Sequence, residues 1–291
     1  ENDNMKFFKV DTKAKVLRYV FVLTLTIMAV LAIKHDYKYN NLRKDASINL
    51  NSNKEAVTVM SNQSLPKGNT NSKQTLSVST IGSKTIVKND EYLESTINMP
   101  VITNSNKIVE RSTNDKIKND IFEFYNKSYK EAKQYLKDNP DEKNKFVANV
   151  DFELKKNTDS ALSIKVRYYT YSGGAHGFYQ DIAYNVDMRT GKFLELMDLF
   201  KDNTKYKEVI DEEIKRQIAE LEKKDEENIG IYNFKGIKEN QNFYLQDENL
   251  VVYFDLYDIT PYAAGIPEFS INKALISSML KPEYVDLFDL K

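Results

Sequence analysis

Strict alternation of apolar and polar residues is the clearest pattern in this chain. Phe146, Ala148, Val150, Phe152 and Leu154 fall at every second position, with Asn149, Asp151 and Glu153 between them. A period of two predicts a strand with one buried and one wet face, as in an antiparallel sheet covered by helices on one side. Asn157-Thr158-Asp159-Ser160 turns the chain into a second strand, with Leu162, Ile164, Val166 and Tyr168 on one face. A third carries Phe178, Gln180, Ile182, Tyr184, Val186 and Met188. Between the last two lies Ser172-Gly173-Gly174-Ala175-His176-Gly177, so the pair reads as a hairpin with an irregular glycine-rich corner. Arg189-Thr190-Gly191-Lys192 reads as a tight turn with Gly191 at positive φ. A later hairpin is predicted from Phe243-Tyr244-Leu245, a turn over Gln246–Asn249, and Leu250 to Tyr257. Ile86 to Ile102 looks extended, and folding is expected to begin near Ile81–Thr85.

Two stretches carry the helical period instead. Ile117, Ile121, Phe124, Tyr125, Ala132 and Leu136 form one stripe, predicting a helix capped at Asn114 or Asp115 and ended by Asn139-Pro140. Tyr206, Val209, Ile210, Ile214, Ile218 and Leu221 form the second, and a short helix is expected over about 272–280. The fold class is therefore α+β. We expect an antiparallel sheet, two main helices and a short third in two closely packed subdomains, 85–160 and 161–285, joined near Asp159.

The first 84 residues differ in kind. Tyr19 to Ile33 is uncharged and follows Lys6, Lys9, Lys13, Lys15 and Arg18. As a helix it spans roughly 22 Å, short of a ~30 Å hydrocarbon core unless extended back to Val16 with Arg18 snorkelling. We read 1–18 as a short cytoplasmic segment and 19–33 as a single-pass signal-anchor in the cell membrane. A cleaved signal peptide is the alternative, with Val30 and Ala32 at the −3 and −1 positions of a signal peptidase site. A buried core helix fits less well, because the run is apolar all round and its flanks are polar. Residues 34–84, rich in Asn, Ser, Thr and Lys, read as a flexible linker. Either membrane reading places the folded part outside the cell.

Charge and residue types narrow the function classes. Residues 1–84 hold 13 basic and 6 acidic residues, whereas 85–291 hold 29 and 37. A basic start suits a membrane surface; an acidic body suits a cationic partner and argues against nucleic acid. With no cysteine, disulfides and thiolate chemistry are excluded. Only His35 and His176 are present, too few for the usual zinc hydrolase ligand set. Ser172 and His176, with Asp181 or Asp187 as orienter, form a nucleophile–base candidate. They sit four residues apart on one glycine loop, without the strand–turn–helix elbow such a nucleophile uses. Gly173-Gly174-x-x-Gly177 lacks the Lys-Ser/Thr partner of a phosphate loop. No catalytic residue, metal ligand or cofactor is predicted. His176 either holds its loop by a local hydrogen bond or contributes to a binding surface, and the two readings are compatible.

The segments SGGAHG, YNVDMRTGKFLELMDLF and NFYLQDENLVVYFDLYDITPYAAGIPEF resemble the extracytoplasmic domain of RsiV-like anti-sigma-V factors of Gram-positive bacteria. Residues of about 85–161 resemble the companion domain that these share with peptidoglycan deacetylases of the PdaC type. The resemblance spans roughly 85–285, and its most specific parts are the Gly-Gly-Ala-His corner and the Pro-Tyr-Ala-Ala-Gly loop. It implies a receptor rather than an enzyme. Such proteins hold a sigma factor inside, bind lysozyme outside and are then cut by signal peptidase near the membrane. Ser172, Gly173, Gly174, His176, Pro261 and Tyr262 become the ligand-binding candidates. A cytoplasmic segment of at most about 18 residues is short for a sigma-binding element, so lysozyme or cell-wall ligand binding is expected ahead of sigma-factor control. A secreted or tethered module binding cell-wall glycan is the alternative, and a hydrolase using His176 a third.

Overall fold

The alternating segments become the centre of a six-stranded sheet. The computed structural model describes residues 77–225 and 229–290; the run Tyr19–Ile33, with Val30 and Ala32, lies outside them. Among the described residues, no helix is long and apolar enough to cross a membrane. The large sheet has the order β1-β2-β3-β4-β5-β6. Its strands are β1 (Thr80–Asn89), β2 (Leu93–Thr103), β3 (Phe146–Asn157), β4 (Ala161–Tyr171), β5 (Phe178–Asp187) and the two-residue β6 (Lys192–Phe193). A second sheet runs β7 (Phe243–Gln246), β8 (Asn249–Tyr253), β9 (Glu268–Asn272). The helices are α1 (Lys107–Asp138), α2 (Tyr206–Lys224) and the single turn α3 (Lys273–Ile276).

The α+β class holds, but the sheet is mixed: β2 and β3 pair in parallel. The cause is α1, which carries the chain between them as a crossover; a parallel pair needs such a connection. β3 and β4, on either side of Asp159, are neighbours in this one sheet. The extended stretch Ile86–Ile102 is not one strand but parts of β1 and β2, turned at residues 90–92.

Helix α1 starts earlier than its apolar stripe. Asn106 is the cap, its side chain accepting from the Ile108 and Val109 N–H groups at 3.1 and 3.3 Å. Asn114, the expected cap, instead clamps Ile102 with both ends of its amide, at 2.9 and 2.7 Å. The buried face runs Val109, Thr113, Ile117, Ile121, Tyr125, Ser128, Ala132, at spacings of three and four. It packs on Leu93, Ile97, Val150, Leu162, Ile164, Val166 and Tyr184 of the sheet. The alternation of β3 breaks where its pairing with β4 shifts register between Leu154 and Lys156. Past the bulge Lys156 pairs with Ser163 and is buried, its ammonium donating to the carbonyls of Asp247 (2.5 Å) and Asp289 (2.7 Å).

The small sheet lies on the other face of the large one. Its residues alternate cleanly: Phe243, Leu245, Leu250, Val252, Phe269 and Ile271 join Ile210, Ile214 and Ile218 of α2 in one core. Tyr244, Val251 and Tyr253 form a separate cluster that packs against Ala183 of β5. Bonds that pin the sheets together include Leu245 N–H to Ser163 Oγ at 3.1 Å and the Asn185 amide to the Phe243 carbonyl at 2.8 Å. The layers are thus α1, large sheet, small sheet, α2, a stacking that gives every apolar face a partner. Gly191 has the expected positive φ of 74° in the turn after β5.

Candidate functional site

Both loops singled out in the sequence meet at one end of this stack. The corner Ser172–Gly177 joins β4 to β5 in the large sheet, and Pro261–Gly265 lies between β8 and β9 in the small one. Gly173 and Gly174 have φ of 91° and 97°, a region residues with a Cβ rarely adopt. At Gly177 the constraint is space, since a Cβ there would run into the Tyr169 ring.

Tyr262 opens a single 3-10 turn over Tyr262–Ala264. Its ring stacks on His176 with centroids 4.0 Å apart and planes 23° from parallel. Its hydroxyl donates to the Gly177 carbonyl at 2.7 Å. His176 Nδ1 lies 2.9 Å from the same oxygen. A carbonyl only accepts, so Nδ1 carries a proton and donates it to that oxygen. One backbone oxygen therefore clasps the two loops through two rings. Tyr179 meets Tyr262 edge-on at 6.4 Å, and Tyr257 lies tilted against it at 5.7 Å.

A partly buried ionic network supports these rings. The Arg167 guanidinium sits 4.5 Å from the centroid of Tyr179 and grips Asp181 with two bonds of 2.7 and 2.8 Å. Lys165, 5% exposed, reaches Asp181 at 3.2 Å and Glu268 at 2.6 Å. Tyr244 donates to Glu268 at 2.8 Å, and Tyr253 donates to the Asp181 carbonyl at 3.2 Å while accepting from Ala183 N–H at 3.0 Å. Burial acts to lower the Lys165 pKa, but Glu268 and Asp181 together outweigh it and hold the group above its ordinary value. Its bond to Asp181 raises that of Arg167. Burial first, then Glu268, raises Tyr244 far enough that its phenol stays protonated.

The structure brings His176 and Tyr262 into contact, with Pro261, Ser172, Gly173 and Gly174 exposed around them. Ser172 lines an open groove of about 710 Å³ against the end of α1, with Lys127, Lys130, Tyr135 and Phe146. Neither carboxylate of the triad reading orients His176. Nδ1 of His176 is committed to Gly177, Asp181 to Arg167 and Lys165, and Asp187 to Arg189 at 2.8 Å. Among the described residues, no group of three or more His, Asp or Glu could hold a metal ion. Tyr179, Tyr257 and the Arg167–Asp181 pair were not predicted. The abundance of tyrosine, 19 residues, was the available signal for the rings.

Comparison with known proteins follows the two halves of the sheet system. Residues 86–179 match the family model of Deacetylase PdaC, and residues 197–274 match that of a protein of unknown function, DUF3298. The chain is similar to Anti-sigma-V factor RsiV of Bacillus subtilis (strain 168), 32% identical over 186 residues, covering 62% of each protein. It is also similar to Peptidoglycan-N-acetylmuramic acid deacetylase PdaC of the same organism, 27% identical over 169 residues, 54% of this chain and 35% of that one. The chain thus spans less than two thirds of the length of either relative. Two solved DUF3298 structures share the fold. The one from Bacteroides fragilis NCTC 9343 has a TM-score of 0.60 at 20% identity, covering 74% of this chain and 99% of the other. The one from Pseudomonas aeruginosa PAO1 has a TM-score of 0.51 at 17% identity, covering 74% and 96%. The chain therefore resembles an RsiV-like protein with a PdaC-type companion region.

Proposed function

We propose that this protein is an extracytoplasmic recognition protein of the RsiV kind, without catalytic turnover, which binds lysozyme through the surface around the His176–Tyr262 clasp. The observation that carries the reading is the clasp itself. Loops 85 residues apart are locked into one exposed surface of rings, glycines and backbone, a composition suited to protein contact and lacking an assembled nucleophile or metal site. The excess of acidic residues in 85–291 supports a cationic ligand, with the charge acting mainly on association rate. On this reading the chain is a single-pass membrane protein held by 19–33, Val30 and Ala32 mark the signal peptidase site, and a sigma factor is the inner partner.

Calorimetry with purified lysozyme tests the proposal. Tyr262→Ala is expected to weaken binding by about 30-fold, on the order of 2 kcal/mol, mostly through faster dissociation. Unchanged affinity in that variant, or no binding by the wild type, ends this reading. A second reading, a module binding cell-wall glycan, rests on the groove beside Ser172 and on the PdaC match over 86–179. Retention on insoluble peptidoglycan without affinity for lysozyme would favour it.

A further inference from the structure

We propose that Tyr257 is a second aromatic contact of this ligand surface, held outward by a turn that strains its backbone. The inference rests on the lysozyme-binding reading and extends it to a residue outside both loops. Asp255 to Asp258 form a tight turn, with Asp258 N–H donating to the Asp255 carbonyl at 3.0 Å. Tyr257 is third in that turn, at φ +69°. That is the position where a turn of this hand takes glycine, and a tyrosine there bears a steric cost that glycine does not. Among the described residues, the other non-glycine positions at positive φ, Asn203 and Asp247, are of the types that tolerate it.

The surroundings fix the turn rather than the ring. Leu256 and Ile259, on either side, are buried. Asn233 N–H holds the Ile259 carbonyl at 2.7 Å, and Lys238 holds Asp258 at 2.8 Å. Tyr257 itself is 53% exposed and touches the site through Tyr262. A strained residue with so little burial gains little for the fold, and such strain collects where a side chain must be presented to a ligand. An exposed tyrosine face on a net-acidic body suits an arginine or lysine of a basic protein by cation–π contact.

The test separates presentation from packing. Wild type, Tyr257→Gly and Tyr262→Ala are titrated with lysozyme by calorimetry and melted in parallel. Tyr257→Gly is expected to melt at or above the wild-type temperature, because strain is relieved, while binding about tenfold more weakly or worse. If Tyr257→Gly binds as the wild type does while Tyr262→Ala is weakened, the Tyr257 contact is wrong and the lysozyme reading survives. If Tyr257→Gly melts well below the wild type, the ring serves the fold and the proposal is overturned. No binding by the wild type overturns both.

Discussion

Strand β4 has two buried faces of opposite chemistry. Leu162, Ile164, Val166 and Tyr168 meet α1 in a core that is almost all hydrocarbon. Ser163 and Lys165, between them, meet the small sheet through a hydroxyl and an ion pair, to Leu245 N–H and Glu268. The half-exposed Arg167 pairs with Asp181 of the neighbouring strand β5. Hydrocarbon packing is nondirectional, so the first face needs volume and little else. Charge pairs and hydrogen bonds are directional, and a buried pair off its geometry is worse than no pair. The second face thus fixes where the small sheet sits on the large one. Since the His176 corner belongs to one sheet and the Tyr262 loop to the other, that register is also what brings the clasp together.

The contrast predicts a ranking. Asp181→Ala strands Lys165 and Arg167 beside each other with their shared carboxylate gone, and should cost about 3–5 kcal/mol. It should also loosen the clasp, seen as weaker lysozyme binding. Ile121→Ala, a cavity under α1 at a fully buried position, should cost about 3 kcal/mol and leave affinity per folded molecule unchanged. Urea unfolding with parallel titrations checks both. An Asp181→Ala cost below that of Ile121→Ala would mean that Glu268 alone suffices to hold Lys165 in the seam.

The two faces also differed in how legible they were. The hydrocarbon face was written in the alternation of Leu162 to Tyr168, and the α2 stripe and the turn at Gly191 were equally plain. Alternation does not say which strand is a neighbour, so the parallel β2–β3 pair was hidden. The first turns of α1 hold only Val109 and Thr113 on their buried side, too sparse a stripe to show the true cap at Asn106. A bulge adds one residue without a sequence mark, so the alternation gave no sign that Lys156 is buried. At the site, Ser172–Gly177 and Pro261–Gly265 stood out by glycine and proline. The fold's contribution was their meeting, which rests on the seam. Tyr257 was missed because a positive φ at tyrosine contradicts its residue type.

The smallest predicted effect sharpens the comparison at a second buried carboxylate. Asp181 has two cations; Asp255 has none of its own. Oδ1 of Asp255 is buried without a hydrogen-bond partner. Burial, then repulsion by Asp258, pushes its pKa up to about 6, with Asp181 adding to the repulsion. Lys238, already paired with Asp258, and the Asn242 amide pull it down only in part. The unfolded chain has the ordinary value of 3.8. A folded pKa above the unfolded one means the native state binds the proton more tightly. The stabilisation is therefore complete below about pH 4 and is lost as pH rises through 6, a change on the order of 2 kcal/mol. Glu153 and Glu213, held below the usual range by bonds to Lys155 and Arg216, slope the opposite way. Only the difference between variant and wild type isolates Asp255. Asp255→Asn, which resembles the protonated acid, should match the wild type near pH 4 and exceed it by on the order of 2 kcal/mol at pH 7.5. A pH-independent difference would show that this carboxyl is solvated after all. In that case an uncompensated acid would not distinguish the Tyr257 turn from the paired seam at Asp181.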